Sequence, residues 1–304
     1  MSLLVTGTVA FDAIETPFGK TDKIIGGAAT YISLSASYFT KQVNLIGVVG
    51  DDFPSDYIQF LNNKGVDTKG LQVKKGEKSF FWSGRYFNDL NSRETLITEL
   101  NVLADFDPIV PEEYNSPDYL MLGNLAPVVQ STLIKRLAKK PKLIVMDTMN
   151  FWMDIALDDL KNTLTMVDVL TINDEEARQL SGEYSLRKAA AKIQAMGPKY
   201  LIIKKGEHGA LLFHEKEIFY APAMLLENVF DPTGAGDTFA GGFIGWLAKT
   251  DDISFENMKK AIIYGSAMAS FCVEKFGTEN ILDIPESVLT QRVLDFKNLS
   301  HFNL

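Results

Sequence analysis

Short runs of apolar and β-branched residues alternate with amphipathic segments along most of the chain. The apolar runs predict buried strands at 3–9, 43–50, 118–125, 142–148, 167–173 and 200–205. The segments between them predict helices at 29–39, 54–65, 128–140, 175–182 and 185–197. Continuous apolar strands separated by helices are typical of a doubly wound, mainly parallel sheet that is covered on both faces. The sequence therefore predicts a three-layer α/β fold with ligands at the carboxyl ends of its strands.

Two segments depart from this alternation. Residues 77–101 alternate polar and aromatic positions around a turn-rich "NDLNSR", which predicts an antiparallel hairpin outside the main sheet. Residues 13–25 form a second short excursion around a glycine turn. Aromatic-rich strands beside an α/β body indicate a lid or a dimerisation surface, and an ordinary β-appendage explains them equally well. We therefore treat residues 1–304 as a single domain with a small antiparallel β lid.

The last third of the chain is expected to be mainly helical. Helices are predicted at 237–249, 254–276 and 285–296, the last beginning at a proline. The apolar "NVF" at 228–230 predicts a strand that ends just before Asp231.

Composition limits the partners more than it limits the fold. Hydrophobic residues make up 46% and charged residues 23% of the chain, as in an ordinary globular protein. The net charge of −9 argues against nucleic acid and anionic membranes as partners. The single cysteine, Cys272, excludes an internal disulfide, and its apolar helical setting predicts a buried thiol. Without a membrane-length apolar run or a signal-peptide pattern, the expected location is cytoplasmic.

The stretch "DPTGAGDTFAGGF", residues 231–243, carries the strongest chemical signal. Gly234 and Gly236 remove side chains at the start of a predicted helix, which bares backbone N–H groups at the positive end of the helix dipole. Such groups bind anions. Asp237 beside them is either a helix cap or a base that takes the proton of a hydroxyl attacking a phosphorus. Phosphoryl transfer needs mainly positioning and charge stabilisation, so this arrangement is sufficient for it.

Other patterns add little to this signal. The chain has no P-loop motif, no G-x-G-x-x-G after its first strand, and no metal-binding spacing among its three histidines. Asp147 and Asn150 end a predicted strand on the ligand side, where Asn150 either orders the acceptor or metal-bound waters, or forms a structural turn.

Several motifs in order along the chain resemble the ribokinase-like (PfkB) family of carbohydrate and nucleoside kinases. The glycine-rich stretch resembles the C-terminal signature of the family, and "GGAATY" (26–31) resembles its diglycine signature. "VGDDF" (49–53), "NDEE" (173–176) and "IKKGEHGALLF" (203–213) resemble three further segments, so the resemblance spans nearly the whole chain. It implies the ribokinase-like fold and transfer of the γ-phosphoryl group of ATP, with Mg²⁺, to a hydroxyl of a small sugar or sugar derivative.

The resemblance also implies roles for the matching positions. Asp237 is the implied base, and the implied anion hole consists of the amides of Gly234, Ala235 and Gly236. The candidate acceptor-binding residues are Asp12, Gly26, Gly27 and Tyr31, to which the strand-end pattern adds Asn150. The implied nucleotide-binding residues are Asn173, Lys204, Gly206, Gly209, Ser266 and Gly277. Glu176 is implied to hold Mg²⁺ through water, and Asp231 lies where the family often binds a monovalent cation such as K⁺.

The acceptor half departs from the family pattern. Tyr31 stands where the family signature usually closes with Asn, and Ala10 stands where sugar kinases often carry Asn. A nucleoside is the second choice of acceptor, because Tyr31, Trp82 and Tyr86 offer flat faces for a base. A sugar- or nucleotide-binding regulatory protein without turnover is the alternative from another class. The aromatic hairpin also suggests a homodimer through the lid.

Overall fold

The computed structural model describes residues 1–301, which form two β-sheets and the helices that flank them. The strands are β1 (Leu3–Thr6), β2 (Ala10–Thr16), β3 (Gly19–Lys20), β4 (Ile24–Gly26), β5 (Val43–Gly50), β6 (Val66–Lys74), β7 (Phe80–Tyr86), β8 (Arg93–Glu99), β9 (Tyr119–Leu122), β10 (Leu143–Asp147), β11 (Val169–Asn173), β12 (Tyr200–Lys204), β13 (Ala210–His214) and β14 (Glu217–Ala221).

The α-helices are α1 (Ala28–Ser37), α2 (Ser55–Asn63), α3 (Pro127–Arg136), α4 (Asn150–Ile155), α5 (Leu157–Leu164), α6 (Asp174–Ser181), α7 (Leu186–Gln194), α8 (Ala235–Thr250), α9 (Phe255–Cys272) and α10 (Glu286–Ser300). Short 3₁₀ segments lie at Asn101–Leu103, Glu112–Tyr114, Gly206–His208 and Glu279–Ile281.

The main sheet has nine strands in the order β14-β13-β12-β11-β10-β9-β1-β5-β6. Its pairs from β6 across to β12 are parallel, and β12, β13 and β14 pair antiparallel at one edge. Alternate side chains of β1 enter different cores: Leu3 and Val5 pack with residues of α1, α8 and α9, whereas Leu4 packs with residues of α3, α5 and α7. The predicted mainly parallel sheet with helices on both faces is therefore confirmed.

The second, small sheet consists of β3-β2-β7-β8, with β4 paired to β2. Its β7–β8 hairpin is antiparallel, as the pattern of 77–101 predicts, and the excursion at 13–25 supplies parts of β2, β3 and β4. The β2–β7 pair is parallel, so the small sheet is mixed rather than wholly antiparallel. The outer strand β8 is exposed along its whole length.

Three parts of the chain differ from the sequence-based expectation. The strand predicted to end at 228–230 is wrong: β14 ends at Ala221, and residues 222–234 contain no strand. Pro222 cannot donate to a ladder, and the amide of Phe230 instead donates to Val273 O at 2.8 Å, beyond the end of α9. The polar "VDTKGLQVK" of β6 and the short helices α4 and α5 were not predicted.

Helix α8 is fixed between two other helices by close approach at its glycines. A Cβ at Gly241 would overlap the backbone of Ile32 in α1, and one at Gly242 would lie 2.9 Å from the Cα of Gly265 in α9. The hydroxyl of Ser35 also donates to Thr238 O at 2.7 Å. The small residues after Asp237 therefore serve helix–helix packing.

Cys272 is fully buried at the end of α9, as predicted for an inert thiol. No helix among residues 1–301 is long and apolar enough to cross a membrane.

Candidate active site

The turn before α8 is fixed by a buried carboxylate. Asp231 is fully buried, and its Oδ1 and Oδ2 accept hydrogen bonds from the amides of Thr233 at 2.8 Å and Gly277 at 2.9 Å. Gly234 then has a φ of +73°, in the left-handed region that a residue with a side chain adopts only under strain. A Cβ there would also lie 2.5 Å from the ring of Tyr31. The turn therefore requires glycine for two separate reasons.

The amides of this turn are unequally occupied. The amide of Ala235 donates to Pro232 O at 3.2 Å, and that of Thr238 donates to Gly234 O at 2.7 Å. Within residues 1–301, the amides of Gly234, Gly236 and Asp237 have no protein acceptor. They lie at the positive end of the sixteen-residue helix α8. The turn therefore offers free donors to an anion, and Ala235 contributes less to that set than its neighbours.

Asp237 lies in the first turn of α8, partly exposed, beside these amides. Burial of its carboxyl and the neighbouring charge of Asp147 raise the pKa of Asp237 to about 7. Lys204 and Arg93 act in the opposite direction and favour the ionised form. A carboxylate with such a pKa exchanges protons near neutral pH, which suits a general base.

Lys204, at the end of β12, supplies the nearest positive charge. Its Nζ lies 3.1 Å from Oδ2 of Asp147, at the end of the neighbouring-but-one strand β10, and both side chains are largely buried. Burial alone would lower the pKa of Lys204, but Asp147, Glu176 and Asp237 together raise it above its ordinary value. A Cβ at Gly236 would lie 3.0 Å from this ammonium group, so Gly236 gives Lys204 its place beside the turn.

Asn173 and Glu176 form a capping box at the start of α6. Asn173 Oδ1 accepts from the amide of Glu176 at 2.8 Å, and Glu176 Oε2 accepts from the amide of Asn173 at 2.7 Å. Glu176 is 5% exposed, and burial raises its pKa to about 7, with Lys204 lowering it and Asp147 raising it. The motif thus has a structural role, and Glu176 Oε1 is left outside the box. Within residues 1–301, no group of three or more acidic, His or Cys side chains is arranged to hold a metal directly.

The carboxylate of Asp12 lies where β2 meets the diglycine, in the space left by the absent side chain of Gly26, which we call the Asp12 recess. A Cβ at Gly26 would overlap Oδ2 of Asp12, so the carboxylate lies directly over this residue. Burial raises the pKa of Asp12 to about 7, against the lowering effect of a hydrogen bond from the Gly27 backbone. Asp231 and Asp237 are close enough to raise the pKa of Asp12 further. The structure thus places Asp12, which is predicted to bind the acceptor, close enough to the predicted base Asp237 for their charges to interact.

Replacement of Gly26 by Ala should selectively weaken acceptor binding. The added methyl group occupies the position of Asp12 Oδ2, so the carboxylate must rotate away from its place in the recess. We expect the KM for the acceptor to rise at least tenfold while the KM for ATP changes less than twofold, measured by steady-state kinetics. Gly76→Ala is the control, because a Cβ there meets nothing within 4 Å, although Gly76, unlike Gly26, has a positive φ. Equal effects on both substrates would contradict the placement of Asp12.

The aromatic side chains near the recess are less open than the sequence suggests. Tyr31 is 1% exposed, its ring packs under Gly234, and its hydroxyl has no hydrogen-bond partner within residues 1–301. Tyr86 is also buried, and its hydroxyl lies 3.2 Å from Oγ1 of Thr233. The stacking platform expected from Tyr31, Trp82 and Tyr86 therefore reduces to the partly exposed Trp82.

A cavity of about 360 Å³ borders the turn. Ala235 and Gly236 line it, together with the predicted nucleotide-binding residues Lys204, Gly206, Gly209 and Ser266. Asn173, Gly277 and Asn150 do not line it: Asn173 caps α6, Gly277 donates to Asp231, and Asn150 begins α4. Residues Ala223, Met224, Leu225, Leu226 and Val229 form a further wall that no motif indicated.

Arg93 is a residue of the site that no sequence motif indicates. It begins the exposed strand β8, where an arginine is usually solvated, yet its charge lowers the pKa of Asp12, Glu176 and Asp237. Its guanidinium carbon lies 5.7 Å from the Trp82 ring. The sequence does not indicate this role, because Arg93 and the turn are more than a hundred positions apart and only the small sheet brings them together.

Comparison with known proteins gives consistent results. The pfkB family carbohydrate kinase model matches residues 3–285. The cytidine kinase of Thermococcus kodakarensis is 30% identical over 254 residues, which are 82% of the chain and 89% of that relative.

Solved structures share the fold at lower identity. A nucleoside kinase of Burkholderia thailandensis, solved in complex with inosine, has a TM-score of 0.79 at 18% identity, with 98% of each chain covered. A provisionally named ribokinase II of E. coli, solved with ATP and Mg²⁺, has a TM-score of 0.78 at 18% identity, covering 98% of this chain and 99% of that one. At such identities these structures establish the fold.

Proposed function

Since the chain belongs to the pfkB family of carbohydrate kinases, we propose that it transfers the γ-phosphoryl group of ATP to a ribose hydroxyl of a nucleoside. The family membership makes the chain a phosphotransferase with a hydroxyl acceptor on a sugar or a nucleoside. The observation that carries the finer proposal is the arrangement around Asp237: Ala235 and Gly236 beside it line the cavity of about 360 Å³, and Asp12 is close enough for its charge to interact with that of Asp237.

The choice of a nucleoside is supported by the relatives. The sequence alone ranks a sugar first, but one relative is a cytidine kinase and one structural neighbour was solved with inosine. A free sugar stays as a second candidate, because Tyr31 and Tyr86 are buried and only Trp82 of the three aromatic residues is open to a base. Asp12 suits both acceptors, since a buried carboxylate can accept hydrogen bonds from two neighbouring hydroxyls.

In the proposed reaction, Asp237 removes the proton of the attacking hydroxyl as the oxygen approaches the γ-phosphorus. The amides of Gly234, Gly236 and Asp237 stabilise the negative charge of the transferring group, because they have no protein acceptor within residues 1–301 and lie at a helix start. Lys204 adds a positive charge beside Gly236. The anion hole is thus proposed to lack a full contribution from Ala235.

The carboxylates near the turn fit a role with Mg²⁺. Glu176 and Asp147 are close enough for their negative charges to repel each other, and a bound cation would reduce this repulsion. We assign Glu176 as the residue that holds Mg²⁺ through water, with Oε1 outside the capping box, and Mg²⁺ would neutralise phosphate charge. The monovalent cation at Asp231 stays a prediction, and both oxygens of that carboxylate already accept an amide.

The small sheet is proposed to act as the lid over the acceptor. Tyr86 on β7 contacts Thr233 in the turn, and Arg93 on β8 carries charge toward Asp237. A lid that closes over this recess would exclude water from the reaction. Dimerisation through the lid stays a prediction.

The proposal is tested by ATP consumption with separate panels of nucleosides and free sugars. We expect a cytidine, inosine or other ribonucleoside to support turnover at least a hundredfold above ribose, with a phosphorylated product by mass spectrometry. Turnover with ribose or a hexose alone would replace the nucleoside by the sugar candidate. If no compound of either panel leads to ADP formation and one of them binds tightly, the result would instead support the regulatory alternative.

A further inference from the structure

The tip of the β7–β8 hairpin, residues 87–92, reaches the cavity on the nucleotide side of the turn. Asp89, Leu90 and Asn91 line that cavity together with Lys204 and Gly206. A Cβ at Gly206 would overlap Oδ1 of Asn91, so the hairpin tip lies directly against the turn that follows β12. The small sheet therefore contacts both sides of the site.

Leu90 is held at the cavity in an unusual conformation. Its φ of +53° is in the left-handed region, which is rare for a bulky residue and persists only where surrounding contacts impose it. The carboxylate of Asp89 imposes it here, because it accepts from the amides of Asn91 at 3.1 Å and Ser92 at 2.9 Å. The hydroxyl of Ser92 donates to the same carboxylate at 2.7 Å.

The side chain of Leu90 completes an apolar enclosure. Leu90 is partly buried, whereas its neighbours Asp89 and Asn91 are exposed. The wall formed by Met224, Leu225, Leu226, Val229 and Phe239 lines the same cavity. An apolar side chain held beside this apolar wall is placed to cover a flat ligand group such as a nucleotide base.

We propose that Leu90 contributes to the affinity for ATP, because it covers the bound nucleotide from the hairpin tip. ATP binding is thereby coupled to closure of the hairpin. This inference rests on the proposed use of ATP in that cavity. The coupling follows from the hairpin itself, since β7 also carries Tyr86, which contacts Thr233, and β8 begins at Arg93, whose charge acts on Asp237. A donor held by the tip therefore also holds these two side chains at the turn.

The test is calorimetric titration of wild type and Leu90→Ala with the non-hydrolysable analogue AMP-PNP and Mg²⁺, without acceptor. We expect Leu90→Ala to weaken analogue binding about tenfold, which is the effect of losing one partly buried leucine contact. Leu96→Ala is the matched control: it removes the same side chain from the same hairpin, where Leu96 is 41% exposed and lies outside the cavity. We expect Leu96→Ala to bind as wild type does.

Kinetics add a second readout that general loosening of the hairpin would change differently. We expect the KM for ATP of Leu90→Ala to rise about tenfold, with the acceptor KM at saturating ATP changed less than twofold. Equal analogue affinity in wild type and Leu90→Ala, or equal weakening by Leu90→Ala and Leu96→Ala, would overturn the proposal. Because analogue binding needs no acceptor, this outcome is independent of whether nucleosides are the substrates.

Discussion

Replacing Asp237 by asparagine should lower kcat by a factor of about 10² to 10⁴, with little change in substrate affinity. Asparagine keeps the size of the side chain and its place in α8 but cannot accept the proton of the attacking hydroxyl. The measurement is single-turnover and steady-state kinetics with the best acceptor, together with AMP-PNP binding. Asp158→Asn, an exposed change in the first turn of α5, is the control and should leave kcat unchanged. Equal kcat in wild type and Asp237→Asn would remove the base from the mechanism.

The same variant has two pH-dependent consequences. Because the pKa of Asp237 is raised to about 7, the ionised base becomes scarcer below that pH, and kcat/KM of the wild type should fall as the pH decreases from about 8 to about 5. The residual kcat/KM of Asp237→Asn should lack the part of this decrease that comes from protonation of Asp237. A wild-type profile that is flat across this range would contradict the assignment.

Stability should change in the opposite sense. A carboxyl with a raised pKa in the folded state favours folding when protonated, and this contribution is lost as the pH rises from about 4 through about 7. Without ligands, Asp237→Asn should therefore melt a few degrees higher than wild type at pH 8 and at the same temperature near pH 4. Thermal denaturation at the two pH values measures this difference, and a lower melting temperature of the variant at pH 8 would count against it.

Replacing Lys204 by methionine should lower the free energy of unfolding by about 3 kcal/mol and kcat by about 10². The change leaves the buried Asp147 without its 3.1 Å ion-pair partner and removes the positive charge that favours ionised Glu176 and Asp237. The pKa of Asp237 should then rise, so the fall of kcat/KM should move to higher pH. Urea denaturation and the pH–rate profile measure the two effects.

Two variants separate the ion pair from loss of any lysine. Lys216→Met, in the exposed turn between β13 and β14, should change neither quantity. The double variant Asp147→Asn with Lys204→Met should recover part of the stability, because it removes the uncompensated charge. A double variant less stable than Lys204→Met would show that the pair is not the cause.

The elements that could be predicted are those whose burial is visible in their own sequence. Strands β5, β9 and β10 are buried on both faces and therefore appear as continuous apolar runs. The edge strand β6 has a half-exposed pattern with charged residues, and its pairing with β5 comes from tertiary contact. The strand predicted at the apolar "NVF" is absent because the amide of Phe230 donates to Val273, at the end of α9, rather than to a neighbouring strand. Here an apolar run is present without a pairing partner.

The candidate site divides in the same way. Gly234, Gly236 and Asp237 lie within four successive residues at the start of α8, so a short sequence motif is enough to find them. The pairing of Asp147 with Lys204 joins residues 57 positions apart, and only the neighbouring strand ends bring them together. The turn predicted at the hairpin tip is confirmed, but nothing in "NDLNSR" indicates that the small sheet brings this turn to the cavity.

The tight seat of α8 has a practical consequence for redesign. Its glycines contact the backbones of α1 and α9 directly, so there is no compressible layer through which the helix could tilt or slide. Engineers who want a different acceptor would disturb the reactive centre by altering this helix or its two partners. Positions of β8 that lie away from the site, such as Leu96, can be varied instead, because this strand is exposed along its length. The hairpin tip and Arg93 must be kept, because the tip lines the cavity and Arg93 acts on Asp237.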